Sequence, residues 1–390
     1  MIWKLAWRNI QGAGLRSLIN IIIIALVMIG IIWSQGMYEG WMRTAERESR
    51  EWLNGDGRIT HKLYDRFDPF SWDKSFEQIP ENIQDLVDKG TAVPVLITSG
   101  TIYPEGRMIS LIVKGIPAGQ QFLKLPTAVL ADGGDDIPAL IGSNMAKSSH
   151  LKEGDIVTLR WRDMHGAFNA ADIRIAAIMK TPYLEADNGQ VWMDLERLQL
   201  MKDAPKTATF IVIKDAGDVP QTSDAWTFES IDFLLRDMHA MMKTEKTYGY
   251  LMFALLILLA MIAIFDTQVL AVFKRRKEIG IFAALGMTQK QIIRMFTAEG
   301  MLYAVFASVA AGILGMPLFI YFGTVGYRMP ESYQDFGIEG LSEAVIFYYT
   351  PAMIISTVII VVVITAFVSW IPTLRIARLK PTDALRGRMG

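Results

Sequence analysis

Histidine has the widest catalytic and metal-binding repertoire of any side chain, yet His61, His150, His165 and His239 are scattered and fit none of it. None stands in an H-E-x-x-H pattern, which would place two metal ligands on one helical face, and no serine lies in G-x-S-x-G. These histidines read as surface or packing residues. No cysteine occurs, which removes thiol nucleophiles, thiolate metal sites and disulfides. No G-x-x-x-x-G-K-[ST] occurs either, so the chain cannot cradle nucleotide phosphates in the P-loop manner, and energy for any work must come from another protein. The acidic loop from Ala131 to Pro138 lacks the alternating ligands and closing glutamate of a calcium loop and reads as a solvated turn. Two carboxylates remain, Asp266 and Glu299, both in apolar surroundings where a charge is expensive unless paired or near water. A structural hydrogen bond is the favoured reading of Asp266, and placement at a helix terminus that of Glu299. A polar contact shared with a partner subunit is the alternative for both. The chain is expected not to be an enzyme, with no catalytic, cofactor-binding or metal-ligating residue.

The elements that carry these residues follow from hydropathy. Of 390 residues, 52% are hydrophobic and 20% charged, and mean hydropathy is +0.27, a balance that implies apolar segments joined to a folded polar part. A bilayer core of roughly 30 Å needs about 20 apolar residues in helical form. Four runs qualify, and they predict spans at 17–38, 247–273, 298–323 and 349–372. The first is too long for a signal-peptide core, and no A-x-A-like site follows Trp33, so an uncleaved anchor is expected. Lys and Arg crowd residues 1–16, the loop 274–294 and the tail 373–390, whereas the loop 324–348 is acidic. By the positive-inside rule both termini and the 274–294 loop face the cytoplasm, and residues 39–246 form a large domain on the other side.

That domain reads as mixed α and β. Strands are expected at Thr91–Thr98, Met108–Lys114, Asp155–Trp161, Asp172–Ile178 and Thr207–Ile213, and helices at Pro80–Gly90 and Asp194–Met201. A helical pattern from Phe228 to Lys246, with another from Trp41 to Trp52, predicts a stalk. In the 274–294 loop, Ile279, Phe282 and Leu285 recur at helical spacing, Gly286 can end that helix and Thr288 can cap the next. Such a short amphipathic helix suits a membrane-surface anchor or a lever on which a cytoplasmic protein pushes, and composition does not separate the two. Ala307, Ala311 and Gly315 repeat every four residues and predict close helix packing, within the chain or between copies, and Pro317 predicts a bend. At the start, Trp3, Trp7 and Ile10 oppose Lys4, Arg8 and Gln11, the pattern of an interfacial helix.

The run Arg276-Lys-Glu278-Ile279-Gly280-Ile-Phe282-Ala-Ala284-Leu285-Gly286 resembles the R-x-E-I-G-x-x-x-A-L-G pattern of the FtsX-like permease family, which includes the lipoprotein-releasing permeases and the membrane part of MacB-type exporters. Leu5-Ala-Trp-Arg-Asn-Ile10 is similar to the family's opening, and Pro381-Thr-Asp-Ala-Leu-Arg386 to its C-terminal P-x-x-A-L-R. Ile141-Gly-Ser-Asn-Met-Ala-Lys147, followed by Leu151-Lys-Glu-Gly-Asp155, resembles a recurrent element of its external domain. The resemblance implies a type VII ABC transporter permease with four transmembrane helices and a mixed α+β, MacB-like extracytoplasmic domain on helical stalks inserted between helices 1 and 2. It further implies location in a bacterial inner membrane and two copies of a P-loop ABC ATPase, which bind the ATP and magnesium. A second permease subunit, identical or homologous, is implied too, with a periplasmic carrier or adaptor as a further candidate partner. Arg276, Glu278, Ile279, Gly280, Phe282, Ala284, Leu285 and Gly286 match its ATPase-coupling segment. The layout is closest to the lipoprotein-releasing permeases, so the expected activity is release of lipoproteins or a similar amphiphile by mechanotransmission. The alternatives are export of a drug, peptide or haem-like amphiphile, and an FtsX-like regulator of a cell-wall hydrolase. Membrane lipid is an expected contact and nucleic acid is not.

Overall fold

The computed structural model describes residues 14–131, 136–181, 184–219, 224–274, 279–282, 285–328 and 344–377. The interfacial pattern at residues 1–10, the acidic loop at 132–135 and the C-terminal motif from Pro381 lie outside them. The chain divides into a helical unit, Met1–Trp41 with Met241–Tyr327 and Val345–Gly390, and an α/β unit, Met42–Ala240 with Arg328–Ala344.

The helices used below are α1 (Leu15–Ser49), α2 (Glu81–Asp88), α3 (Ser143–Ser149), α4 (Leu184–Asp187), α5 (Leu195–Lys202), α6 (Arg236–Lys274), α7 (Gln289–Thr324) and α8 (Pro351–Ala377). Four stretches, Ser17–Asn54, Arg236–Asp266, Gln289–Thr324 and Pro351–Leu374, are helical and long and apolar enough to cross a membrane. In the helical unit the common core joins Ile24, Ala25 and Met28 of α1, Ile264 of α6, Tyr303, Ala307 and Ala311 of α7, and Val361 and Val368 of α8. The outer face of α6 leaves Leu251, Leu255, Leu259 and Ile262 exposed, as a segment solvated by lipid or by another chain requires. At the far end of α7 the chain returns through residues 344–350, which lie along α1. A Cβ on Gly36 would stand 2.2 Å from the Tyr349 ring, and one on Gly40 would stand 2.2 Å from the Ile346 carbonyl oxygen. Two glycines four residues apart on α1 therefore seat this segment, and Trp33, Phe322 and Phe347 close over it, the last two stacked at 4.9 Å.

The α/β unit is built on strands β1 (Gly57–His61), β2 (Glu77–Gln78), β3 (Ala92–Ile102), β4 (Ile109–Ile116), β5 (Ile137–Gly142), β6 (Ile156–Arg162), β7 (Phe168–Met179), β8 (Gln190–Asp194), β9 (Thr207–Ala208), β10 (Phe210–Ile213) and β11 (Trp226–Ser230). Their order is β11-β1-β10-β3-β4-β8-β5-β7-β6, and β6 also pairs with β3. Six strands therefore close into a ring that leaves no free edge among them. Alternation fills its interior: Leu111 and Val113, Ala139 and Ile141, Val157, Leu159 and Trp161, Ile173 and Ile175, and Val191 and Met193 all point inward. Leu195 and Leu198 of α5 complete that core, where Gly115 leaves them room. The other side of β3, β4 and β8 carries Val93, Val95, Ile97 and Trp192 into a second core with Leu53, Leu123 and Phe210.

The five expected strands are present with shifted ends, the last divided at Thr209. The stretch from Phe228 is corrected at its start: residues up to Ser230 complete β11 against β1, with Trp226 and Phe228 on one face in the same core, and the chain then turns helical at Ile231–Leu234 and from Arg236 onward. β1, β2, β5, β8 and β11 match none of the expected strands. The motif 141–147 has a structural account. Gly142 precedes α3, and the buried Asp187 carboxylate accepts from the Asn144 amide at 2.9 and 3.1 Å, from Met145 at 3.4 Å and from Ser143 Oγ at 3.2 Å.

Candidate functional site: a capped turn between two apolar helices

The segment between α6 and α7 is shaped by two opposed capping motifs. Residues 279–282 are helical, and Gly286 takes φ +91°, the left-handed conformation in which a side chain is strained. The Met287 amide donates to the Phe282 carbonyl at 3.0 Å, the six-to-one bond of a Schellman ending. Thr288 then begins α7 with a capping box: Gln291 N–H donates to Thr288 Oγ1 at 3.4 Å and the Thr288 amide donates to Gln291 Oε1 at 2.8 Å. Met287 sits just before the cap and shares a cluster with Ile292 four positions into the helix, a hydrophobic staple. Loss of such a cap costs about 1 kcal/mol. The turn is thus held from both sides.

The predicted coupling residues divide by face. Ile279 is buried against Ile292, Met295 and Phe296, with Phe282 packed on the same cluster, and Gly280 is buried beside them. These residues fasten the short helix to α7. Leu285 is 77% exposed and Ile281, four residues before it, 50% exposed. Ile281 is the position that sequence reasoning missed. Spacing signals it, since i and i+4 share a face, and Leu285, expected from its spacing on the stripe of Ile279 and Phe282, instead stands exposed with Ile281. Arg276, Glu278 and Ala284 lie outside the described residues.

The two intramembrane acids separate. Asp266 is exposed on α6 and makes no hydrogen bond or ion pair among the described residues, so the structural bond expected of it is not formed there. Glu299 is 1% exposed and stands ten residues beyond the first residue of α7, about 15 Å along the axis. Helix-terminus placement therefore does not account for it, because that effect fades within the first turn. It belongs to a buried polar layer within one chain: Ser17 and Asn20 of α1, Glu299 and Tyr303 of α7, and Thr365, Ser369 and Thr373 of α8 are all at most 5% exposed. Ser17 Oγ and the Tyr303 hydroxyl are 3.0 Å apart. Gly300 brings α7 against α8 at this level, where an added Cβ would stand 1.9 Å from Ser369 Oγ. One turn further on, Ala307 and Ala311 are buried in the same chain's core, and a Cβ on Gly315 would lie 3.1 Å from Ile29 of α1. The small-residue row thus packs against α1 within the chain. Pro317 lies inside α7.

None of the histidines builds a site. His61 is buried 3.5 Å from Glu77, His165 stands 3.1 Å from Asp203, and His150 ends α3 in the left-handed conformation. Among the described residues no group of three potential metal ligands occurs.

Comparison with known proteins bears on this turn. Residues 250–381 match the FtsX-like permease C-terminal family model, a region that contains the turn, α7, α8 and most of the apolar part of α6. Lipoprotein-releasing system transmembrane protein LolC from Xylella fastidiosa, in strains Temecula1 and 9a5c, is 25% identical over 233 residues, covering 54% of this chain and 54% of each relative. The chain thus spans about half the length of the curated relatives it matches. A family match that includes the doubly capped turn, four apolar helices and likeness to LolC together support an FtsX-like permease of the LolC type.

Proposed function

We propose that this chain is the membrane subunit of an ABC transporter in which a separate ATPase pushes on the 274–294 turn and the motion is passed through the helices to the α/β unit. The reading rests on one observation: an exposed apolar pair, Ile281 and Leu285, is presented on a turn fixed by opposed caps, inside the region that matches the family. Exposed apolar side chains next to a basic run are poorly placed for water and well placed for a partner's groove. Lys and Arg in the 274–294 loop and in both terminal segments support a cytoplasmic location for this turn, with residues 39–246 on the opposite, periplasmic side of a bacterial inner membrane. Two ATPase copies, holding ATP and magnesium, and a second permease complete the assembly. Exposed Asp266 and the apolar outer face of α6 are the candidate surface for that second permease. The named activity of the LolC relatives favours lipoproteins, or a similar amphiphile, as the cargo released.

The chain has no cysteine, so Leu285→Cys, Ile281→Cys and Ile279→Cys each introduce a unique thiol. In membranes containing the full complex, crosslinking from 285 and 281 is expected to capture a protein that carries a P-loop, with far less from buried 279. Absence of a P-loop protein among the products, or equal capture from all three positions, refutes the coupling role. Acylated protein crosslinked to the α/β unit supports the lipoprotein reading, and its replacement by a peptide or small amphiphile redirects it.

A further inference from the structure

Away from the membrane helices, the α/β unit contains a cavity of about 140 Å³ that no part of the transport reading uses. Its lining includes Lys114, which β4 carries on the outer face of the closed ring between Ile112 and Ile116. Lys114 is 5% exposed, and its ammonium lies 4.8 Å over the ring of Trp192, its register partner on parallel β8. Two further cations line the same space. Arg58 is paired with Glu229 at 3.1 Å and Arg66 with Glu185. Lys114 is the cation left over, for no carboxylate stands within ion-pair distance of it among the described residues. Glu185, the carboxylate of the same lining, is already paired with Arg66, and a buried ammonium without an ion-pair partner of its own is unusual, since such burial is strongly unfavourable. The same burial pushes its pKa down to about 7.

Two amide oxygens share the lining. Asn54 and Gln190 are 4% and 6% exposed, and each commits its NH₂ group elsewhere, Asn54 to Ser49 Oγ at 2.9 Å and Gln190 to the Glu185 carbonyl. Their oxygens, Asn54 Oδ1 and Gln190 Oε1, are buried without a hydrogen-bond partner. An unsatisfied buried acceptor costs about 1–3 kcal/mol, and two beside one unpaired cation describe the complement of a ligand rather than a packing fault. That ligand must bring negative charge for Lys114 and at least one O–H or N–H for the amides. Size restricts it, because a cavity of about 150 Å³ holds a molecule with roughly the bulk of benzene. A second cleft of about 340 Å³ shares Arg58, Tyr64 and Arg66 with the cavity and adds Lys62 and Arg236, giving four cations against Asp65, Glu229 and Asp237. With Glu185 paired to Arg66 the charges of this cleft balance, so it offers an approach lined by cations without a net field.

We infer that this cavity binds a small oxyanion that also carries a hydrogen-bond donor, of which a protonated phosphate group is the simplest. Lys114 supplies the charge, Arg66 and Arg58 border it, and Asn54 Oδ1 and Gln190 Oε1 accept from the P–OH. The phosphate can arrive free or as the monoester headgroup of phosphatidic acid, which keeps a P–OH near neutral pH.

The test uses the full chain in detergent, titrated calorimetrically with inorganic phosphate, with acetate, which at neutral pH has no donor, and with dioctanoyl phosphatidic acid. Saturable binding of phosphate or of the short-chain lipid is expected, with acetate weaker. Whichever of the first two binds identifies the source. Lys114→Met keeps the buried stem and removes the charge, and should weaken binding about 30-fold or more. Gln190→Leu provides an independent reading, with a loss of about 3- to 10-fold, should Lys114→Met fail to fold by its tryptophan emission. No saturable binding of either phosphate source, acetate binding as tightly as phosphate, or unchanged affinity in the folded variants overturns the inference.

Discussion

Gly142→Ala tests whether the family-like motif at 141–147 is a docking point for Asp187. The ideal Cβ at position 142 would lie 1.7 Å from Asp187 Oδ1, 2.3 Å from its Cγ and 2.6 Å from its Cα. A side-chain rotation clears the first two contacts but not the third, so the backbone of α4 must withdraw by about 1 Å to reach ordinary contact distance. Overpacking of this kind costs about 1–3 kcal/mol. The withdrawal also stretches the bonds that the carboxylate accepts from Asn144, Met145 and Ser143, and hydrogen bonds to a charged group are worth about 1.5–3 kcal/mol each. Losing one of them brings the total to about 2.5–6 kcal/mol, a large share of the roughly 5–15 kcal/mol that holds a domain together. The control is Gly119→Ala, where no atom lies within 4 Å and φ is outside the left-handed region. That change should be neutral or slightly stabilising. Amide hydrogen exchange of the full chain in detergent, followed at Asn144 and Met145, reads the difference directly. Exchange at these two amides should accelerate about 100-fold or more in Gly142→Ala and stay near wild type in Gly119→Ala. Protection within about threefold of wild type in Gly142→Ala would show that Asp187 does not hold α3 in place.

Three further outcomes follow from the same geometry. Burial lowers Lys114 to about 7 and Lys202 to about 8, and both keep their protons to about 10.5 when unfolded. The unfolded chain therefore binds more protons in this window, and stability of the α/β unit should rise with pH above about 7, by up to ~1.4 kcal/mol per pH unit from Lys114 alone. Lys114→Met should abolish the rise between about pH 7 and 8 and halve it above, and a pH-independent melting temperature in wild type would contradict this. Gly286→Ala and Thr288→Ala should each loosen the turn by about 1 kcal/mol, raising exchange at residues 279–282 without affecting Asn144. Gly300→Ala should destabilise the helical unit by about 1–3 kcal/mol through the clash with Ser369, and Ser369→Gly should restore it. Additive losses in the double variant would show that the two do not meet.

Hydropathy made the apolar helices legible because 20 or more uncharged residues have few other uses, and the caps at Gly286 and Thr288 were legible because they are local chemistry. What escaped was set by distant partners. β5 and β8 read as short apolar runs until Leu140 and Trp192 are seen paired across the ring, and β11 was hidden by a pattern compatible with helix from Phe228 onward. Glu299 looked like the first residue of a span because the apolar count begins after it. The helix starts at Gln289, since the capping box and the Met287–Ile292 staple fix its origin there. Gly36 and Gly40 carried a readable signal, a pair of small residues four apart, but their partner is a loop segment more than three hundred residues away.

Under the proposed coupling role, exposed Ile281 and Leu285 on one side and buried Ile279 and Phe282 on the other would let this short segment serve as a lever. A push on Leu285 and Ile281 reaches α7 through Ile279 and Phe282, which rest on Met295 and Phe296 in its second turn. The Schellman bond and capping box prevent the turn from absorbing the displacement by unwinding. One turn beyond Phe296 come Glu299 and Gly300, where the polar layer and the close approach to Ser369 tie α7 to α8, and the row Ala307, Ala311, Gly315 then ties it to α1. α1, α7 and α8 thus meet along α7, whereas among the described residues α6 adds one buried side chain, Ile264, to the shared core, with Met261 and Phe265 packed against it. Motion delivered at the turn should therefore carry α1, α7 and α8 as one body and leave α6 as the element that slides. Its exposed Asp266 and leucines then meet a surface that changes during the cycle, so crosslinks placed on α6 should depend on nucleotide while those across the α7–α8 seam at Gly300 should not.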